Sequence, residues 1–136
     1  MAEVFIGKKV EKTRVFTYED IEVFSAVSND FHSAQSDAGS GRRIVHSALL
    51  AAAFNGLIKD QLPGPSAAIL EQSFNYLNPV YANERMTLTV EIIAVQASKN
   101  LAIIQTICTN QDDVKVLDGE SVVYIPDMEV VEKSGE

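Results

Sequence analysis

The longest hydrophobic segment of the chain is Ile44–Leu62, which reads IVHSALLAAAFNGLIKDQL. Few polar or small residues interrupt the apolar ones as far as Ile58, so no face of a helix here is polar enough to lie on water. A helix that is apolar on nearly all sides must be covered by other elements. The segment therefore predicts a buried central helix. We expect its start near Ser47, whose hydroxyl is a candidate cap, and its end before Pro63-Gly64-Pro65.

Two shorter elements are predicted before this helix. Residues 9–16 read as a first strand, and the sequence Thr-Tyr-Glu-Asp at Thr17 is typical of a helix start. This helix should end near Ser28-Asn29. The polar stretch Asn29–Arg43 that follows has no periodic pattern, and a loop of this length usually carries function.

Strand patterns dominate the chain after the central helix. Residues Met86–Ile92 alternate between apolar and polar, which is typical of a half-buried antiparallel strand. The other segments predicted as strands are Ala67–Tyr76, Leu101–Thr109 and Val114–Ile125. Gly119 is a candidate bulge, and Asp127–Glu136 is expected to be a frayed tail. The pattern predicts an α+β fold of four or five strands curled around one helix, with an exposed edge strand that self-association would cover.

Composition narrows the class of protein. The 136 residues, 46% of them hydrophobic, suit a single domain over residues 1–126 with the acidic tail 127–136. A net charge of −8 without a basic stripe argues against nucleic-acid binding. No apolar run is long enough to span a membrane, and the N-terminal residues contain no apolar segment of the export type, so we expect neither a membrane span nor export. Because Cys108 is the only cysteine, we expect no internal disulfide, no Cys-based zinc site and a cytoplasmic setting. We also expect neither a metal nor a cofactor.

Four segments resemble, in the same order, the MaoC-like hydratases, the (R)-specific enoyl-CoA hydratase family. They are SNDFHSAQSD at Ser28–Asp37, IVHS at Ile44–Ser47, LPG at Leu62–Gly64 with QSFNYLNPVY at Gln72–Tyr81, and DGESVVYIP at Asp118–Pro126. Together they cover roughly Thr13–Pro126. The resemblance implies a hot-dog fold, in which an antiparallel sheet wraps around one long helix, and a place in fatty acid metabolism. It also implies a homodimer and an acyl-CoA or acyl-carrier thioester as substrate.

The resemblance assigns two catalytic roles. Asp30 occupies the position of the family's catalytic aspartate, which accepts a proton from water as the water attacks C3 of an enoyl thioester. Ser47 occupies the position of the glycine whose backbone N–H binds the thioester oxygen. A helix N-terminus favours the negative charge that develops on that oxygen.

The chain departs from the family at the other catalytic position. Gln35 stands where the family has its catalytic histidine, and His32 stands where it has an asparagine. A carboxamide can orient water but cannot donate and recover a proton near neutral pH. His32 is therefore a candidate replacement acid. The segment between Asp37 and Ile44 is also several residues shorter than the family usually has.

The remaining site residues are expected to bind substrate or to position the loop. The resemblance places Ile44, Val45, Pro63 and Gly64 at the substrate, and it gives His46 the role of holding the loop through hydrogen bonds. The small residues of the central helix leave room for an acyl-CoA in a tunnel beside it.

Three functions remain open. The first is a hydratase or dehydratase for short- to medium-chain acyl thioesters. The second is a catalytically impaired subunit that binds an acyl thioester or forms a heterodimer with a catalytic paralogue, which Gln35 favours. The third is a thioesterase, since hydrolysis needs only a carboxylate and an oxyanion hole.

Overall fold

The elements of the protein are defined in a computed structural model, which describes residues 2–31 and 41–131. The helices are α1 (Tyr18–Ser28) and α2 (Ser47–Asp60). The strands are β1 (Ala2–Val4), β2 (Lys9–Val15), β3 (Ala68–Tyr76), β4 (Arg85–Gln96), β5 (Leu101–Thr109), β6 (Lys115–Tyr124) and β7 (Met128–Val130). Strands β2 to β6 form one antiparallel sheet in the order β2-β4-β5-β6-β3, and β1 pairs with β7.

Helix α2 lies against one face of the five-stranded sheet. Its buried side chains Leu50, Phe54, Leu57 and Ile58 belong to the same core as the apolar residues of β4, which are buried at every second position from Met86. This alternation follows from the pleat of a strand, which turns successive side chains to opposite faces. The predicted α+β hot-dog arrangement of a sheet packed on one central helix is confirmed.

The outer face of α2 departs from the prediction. Ser47, Ala48, Ala52, Gly56 and Lys59 are exposed. The prediction of a helix buried on all sides is wrong for this face, because the sheet of one chain reaches only one side of α2.

Gly119 is needed for close packing and not for a bulge. It pairs in regular register with Thr106 of β5 and Phe74 of β3, whereas the irregularities of the sheet lie elsewhere, one of them between Ile92 and Ala94. A Cβ atom at Gly119 would overlap the carbonyl oxygen of Ser73 and lie 2.9 Å from Cδ1 of Phe74. The predicted bulge is therefore wrong, and the glycine is explained by the close approach of β3.

The two ends of the described chain are joined. Strand β1, which the sequence patterns did not predict, pairs in parallel with β7, and Val4 is fully buried. The Ser66 hydroxyl donates a hydrogen bond of 2.7 Å to Asp127. The expectation of a frayed tail is wrong for Met128–Val130, because β1 supplies a pairing partner far away in sequence.

Strand β3 is one edge of the main sheet and carries exposed apolar side chains. Leu70 is 57% exposed, and Tyr76 and Leu77 at its end are 47% and 48% exposed. Such an edge offers unpaired backbone groups to another strand. Neither α1 nor α2 is long and apolar enough to cross a membrane.

Candidate active site at the start of the central helix

The first turn of α2 presents two backbone amides without hydrogen-bond partners among the described residues. His46 is the N-cap residue, and its carbonyl oxygen accepts from the N–H groups of Leu49 and Leu50, at 3.1 and 3.2 Å. The N–H groups of Ser47 and Ala48 come before these and bond to no described carbonyl. Unpaired amides and the positive end of the helix dipole both favour a negatively charged ligand atom.

Ser47 is not a side-chain cap. It is the first residue of the helix, and no side chain caps this end. The predicted capping role is wrong, because the helix begins one residue earlier than a Ser47 cap requires. The Ser47 hydroxyl has no hydrogen-bond partner within the described part of the chain.

An open cleft of about 260 Å³ adjoins these amides. Its lining residues are Ile44, Val45, Ser47, Leu50, Tyr76, Leu77, Asn78, Pro79 and Val80. The cleft therefore brings together three residues that the sequence placed at the site, Ile44, Val45 and Ser47. Its other wall, Tyr76–Val80, was given no role, although it lies inside the segment QSFNYLNPVY that carried part of the resemblance.

Backbone pairing holds the two walls in place. The N–H of Val45 donates to the carbonyl of Val80 at 2.8 Å, and the N–H of Ala82 donates to the carbonyl of Arg43 at 2.9 Å. The guanidinium of Arg42 lies 3.6 Å from the centre of the Tyr81 ring, a cation–π contact. The segment that leads into α2 is thus fixed against the segment that follows β3.

Asp30 is positioned from the end of α1. Asn29 adopts a left-handed conformation with φ 59°, which asparagine tolerates better than most residues, and this ends the helix. The N–H of Asp30 donates to the Ser28 hydroxyl at 3.3 Å. Asp30 is partly buried, but it is not among the residues that line the cleft.

His46 links this turn to α2. Its Nε2 lies 3.1 Å from the carbonyl oxygen of Asp30 and 3.3 Å from the hydroxyl of Ser25, and the residue is only 5% exposed. Because a carbonyl only accepts hydrogen bonds, Nε2 must carry the proton and donate it. The Phe24 ring packs against the imidazole at 4.9 Å between centroids. Ser25 was given no role from the sequence, although its position four residues after Ile21, on the apolar face of α1, was an available signal.

Of the four remaining predicted site residues, the structure describes only Pro63 and Gly64, and neither lies near Ser47. His32 and Gln35 lie outside the described residues. Pro63 and Gly64 follow the C-terminal end of α2, so they lie about 20 Å along the helix axis from Ser47. Their predicted roles stay predictions.

Burial shifts the pKa values of two side chains, one at the cleft and one in the core. Partial burial raises the pKa of Tyr76, which lines the cleft, above its usual value. Burial raises the pKa of Cys108 to about 12, which keeps this thiol protonated and unreactive in the core. No group of three or more metal-ligating side chains occurs in residues 2–31 and 41–131.

The arrangement of sheet and helix is that of hot-dog proteins. The solved structure of an (R)-hydratase from A. caviae involved in PHA biosynthesis superimposes with a TM-score of 0.85 and 32% sequence identity, over 90% of this chain and 98% of that one. No protein-family model matches the chain.

Relatives identified by sequence define the family more narrowly. The chain is 32% identical over 138 residues to the mitochondrial 3-hydroxyacyl-[acyl-carrier-protein] dehydratase of Arabidopsis thaliana, covering 95% of this chain and 82% of the relative. It is also 32% identical over 127 residues to the (R)-specific enoyl-CoA hydratase of Aeromonas caviae, covering 89% and 95%. The chain therefore belongs to the MaoC-like family of (R)-specific enoyl-CoA hydratases and 3-hydroxyacyl-thioester dehydratases, and it is a hydratase- or dehydratase-like protein.

Proposed function

We propose that the protein adds water to short- to medium-chain enoyl thioesters and catalyses the reverse dehydration, with acyl-CoA or an acyl-carrier thioester as substrate. The observation that carries the proposal is the meeting of two features at the start of α2. One is the pair of Ser47 and Ala48 amides, which bond to no group in residues 2–31 or 41–131 and lie beside an open cleft. The other is the Asp30 turn, whose carbonyl oxygen is hydrogen-bonded to His46, the residue that precedes those amides.

The amides supply the electrostatic part of the mechanism. When water attacks C3, the electrons of the double bond move toward the thioester carbonyl and its oxygen becomes negative. Donors that are already in place stabilise this charge without reorganising, and this is often the largest single contribution to catalysis. The Ser47 N–H is the donor at the mouth of the cleft.

Asp30 supplies the proton transfer. Its carboxylate accepts a proton from the attacking water as the C3–O bond forms, and C2 then takes up a proton to complete the addition. Because Gln35 has no proton to give at neutral pH, we assign the delivery to C2 to the same carboxyl group. A glutamine in place of the family's histidine should slow the reaction, since general acid–base help is worth roughly 10²–10⁴ in rate.

The size of the cleft favours a short acyl group. Its volume of about 260 Å³ is slightly below the roughly 300–1,000 Å³ of typical small-molecule sites. Its lining is mostly aliphatic, which suits a hydrocarbon chain better than a polar substituent.

The test is the hydration of crotonyl-CoA, followed by the loss of its ultraviolet absorbance. The unmodified protein should show slow but measurable turnover, and Asp30→Asn should reduce it at least a hundredfold because the base is lost. Asp112→Asn, which changes an exposed carboxylate in the turn between β5 and β6, is the matched control. Equal turnover by the Asp30 and Asp112 variants would contradict the role of Asp30.

A second candidate function is a binding subunit without turnover, which the glutamine at position 35 favours. Such a protein would bind crotonyl-CoA in a calorimetric titration and leave it unchanged. Absence of binding at millimolar concentration would count against every thioester function.

The proposal includes a homodimer joined along β3 and a cytoplasmic location. The exposed Leu70, Tyr76 and Leu77 at this edge support the dimer. Pairing two β3 strands in an antiparallel manner would extend the sheet to ten strands and cover the free edge. The unpaired, buried Cys108 supports a reducing compartment.

A further inference from the structure

Ser47 adds a side-chain hydroxyl to a place where the family has only a glycine amide. The residue is exposed, lines the cleft and belongs to the same helical turn as the unpaired N–H groups of Ser47 and Ala48. Among the described residues no hydrogen bond uses this hydroxyl, and it does not cap the helix. The local fold therefore gives it no structural task.

The surroundings make this hydroxyl unusual. The cleft is lined mainly by aliphatic side chains, and its other polar residues are Tyr76 and Asn78 on the opposite wall. A ligand oxygen bound at the amides would thus lie beside the residue that carries this hydroxyl. Once a substrate covers this mostly aliphatic cleft, a hydroxyl that donates a hydrogen bond there is worth more than one in water, because the local dielectric constant is lower.

We propose that the Ser47 hydroxyl is a third hydrogen-bond donor to the thioester oxygen, beside the N–H groups of Ser47 and Ala48. This inference rests on the proposed function. It gives the side chain a role in binding the substrate, whereas the alternative is that the side chain only obstructs the approach to the amides. The hydroxyl transfers no proton. It donates a hydrogen bond that strengthens as negative charge develops on the oxygen, so it acts mainly on kcat.

The two readings of Ser47 predict opposite results for one substitution. If the side chain only crowds the site, Ser47→Gly restores the residue of the family and should raise the rate. If the hydroxyl is a donor, Ser47→Gly and Ser47→Ala should both lower kcat for crotonyl-CoA about tenfold, with KM changed less than threefold. This is smaller than the roughly 10²–10³ lost with a single oxyanion-hole donor in a closed site, because the cleft is open.

The experiment compares these two variants with the unmodified protein and with Ser98→Ala, which removes an exposed hydroxyl far from the cleft. Butyryl-CoA, which cannot be hydrated, is titrated calorimetrically against all four proteins. We expect its Kd to rise about threefold in both Ser47 variants and to stay constant in Ser98→Ala. Thermal unfolding of each variant checks that α2 remains folded.

The outcomes separate this inference from the proposed function. Unchanged or improved kcat and Kd in Ser47→Gly would overturn the role of the hydroxyl while leaving the hydratase intact. An unmodified protein that does not hydrate crotonyl-CoA, yet binds butyryl-CoA in a Ser47-dependent way, would contradict the proposed hydratase activity. The same result would support the contact between the Ser47 hydroxyl and the thioester. No binding of butyryl-CoA by the unmodified protein would overturn both.

Discussion

At the scale of single residues, His46 joins two helices through one ring nitrogen. Its Nε2–H reaches the Asp30 carbonyl and the Ser25 hydroxyl, and both His46 and Ser25 are almost fully buried. Within the described part of the chain, its Nδ1 is buried without a partner. The imidazole therefore positions Asp30 through the backbone.

We predict that the length of the side chain at position 46 decides whether Asp30 is held. In His46→Gln the amide nitrogen can take the place of Nε2, so kcat for crotonyl-CoA should stay within about threefold. In His46→Asn the shorter side chain cannot reach the Asp30 carbonyl, and kcat should fall roughly tenfold to a hundredfold because the base is misplaced. KM should change little in both. Equal loss of kcat in the two variants, at equal unfolding midpoints, would argue against a positioning role.

We expect the residue at position 35 to decide whether the protein catalyses hydration or only binds the thioester. Gln35→His should raise the rate of crotonyl-CoA hydration, on the order of tenfold to a thousandfold, because an imidazole can deliver the proton to C2. Adding Asp30→Asn should erase the gain. If His32 is already the acid, the unmodified protein should be active and His32→Ala should cost more than Gln35→Ala. Strong activity that survives both Asp30→Asn and His32→Ala would refute this assignment of the site.

At the scale of elements, two glycines illustrate opposite constraints on strand and helix. Gly119 of β6 lies where β3 approaches too closely for a Cβ atom, while a Cβ at Gly56 of α2 would meet nothing within 4 Å. The first glycine is required by contacts between strands. Gly56 lowers the stability of helix α2, and no close contact requires a glycine at this position.

This contrast gives a paired stability prediction. Gly119→Ala should lower the free energy of unfolding by about 3 kcal/mol or more, because the backbone of β3 must move. Gly56→Ala should raise it by roughly 0.5–1 kcal/mol, because alanine restricts the unfolded chain and favours the helix. Urea unfolding measures both. A Gly119→Ala protein as stable as the unmodified one would show that β3 does not pack as described.

At the scale of the whole molecule, the β3 edge is expected to join two chains. Light scattering of a dilute solution should give twice the 14.9 kDa of one chain. Leu70→Lys places a charge on the edge and should shift the mass toward that of one chain. Val27→Lys is the matched control, since Val27 is 80% exposed on α1 and not on this edge. A monomer before any substitution would remove the dimer from the proposal.

The sequence determined by itself those features that depend on neighbouring residues. The apolar run before Pro63 predicted the central helix, and the alternation from Met86 predicted the longest strand. Both were predictable because the period of a helix or a strand appears directly in the order of apolar and polar residues. Four segments in the same order between Ser28 and Pro126 identified the family, which the relatives then confirmed.

Only the tertiary structure decided what depends on contacts between distant segments. Ser25 meets His46 across 21 positions of the chain, the Tyr76–Val80 wall faces the start of α2, and β1 finds β7 at the opposite end of the sequence. The need for a glycine at position 119 is likewise visible only from the contact between β6 and β3. Periodicity tells which face of an element is buried, but the partner that covers it is selected by the packing of the whole chain.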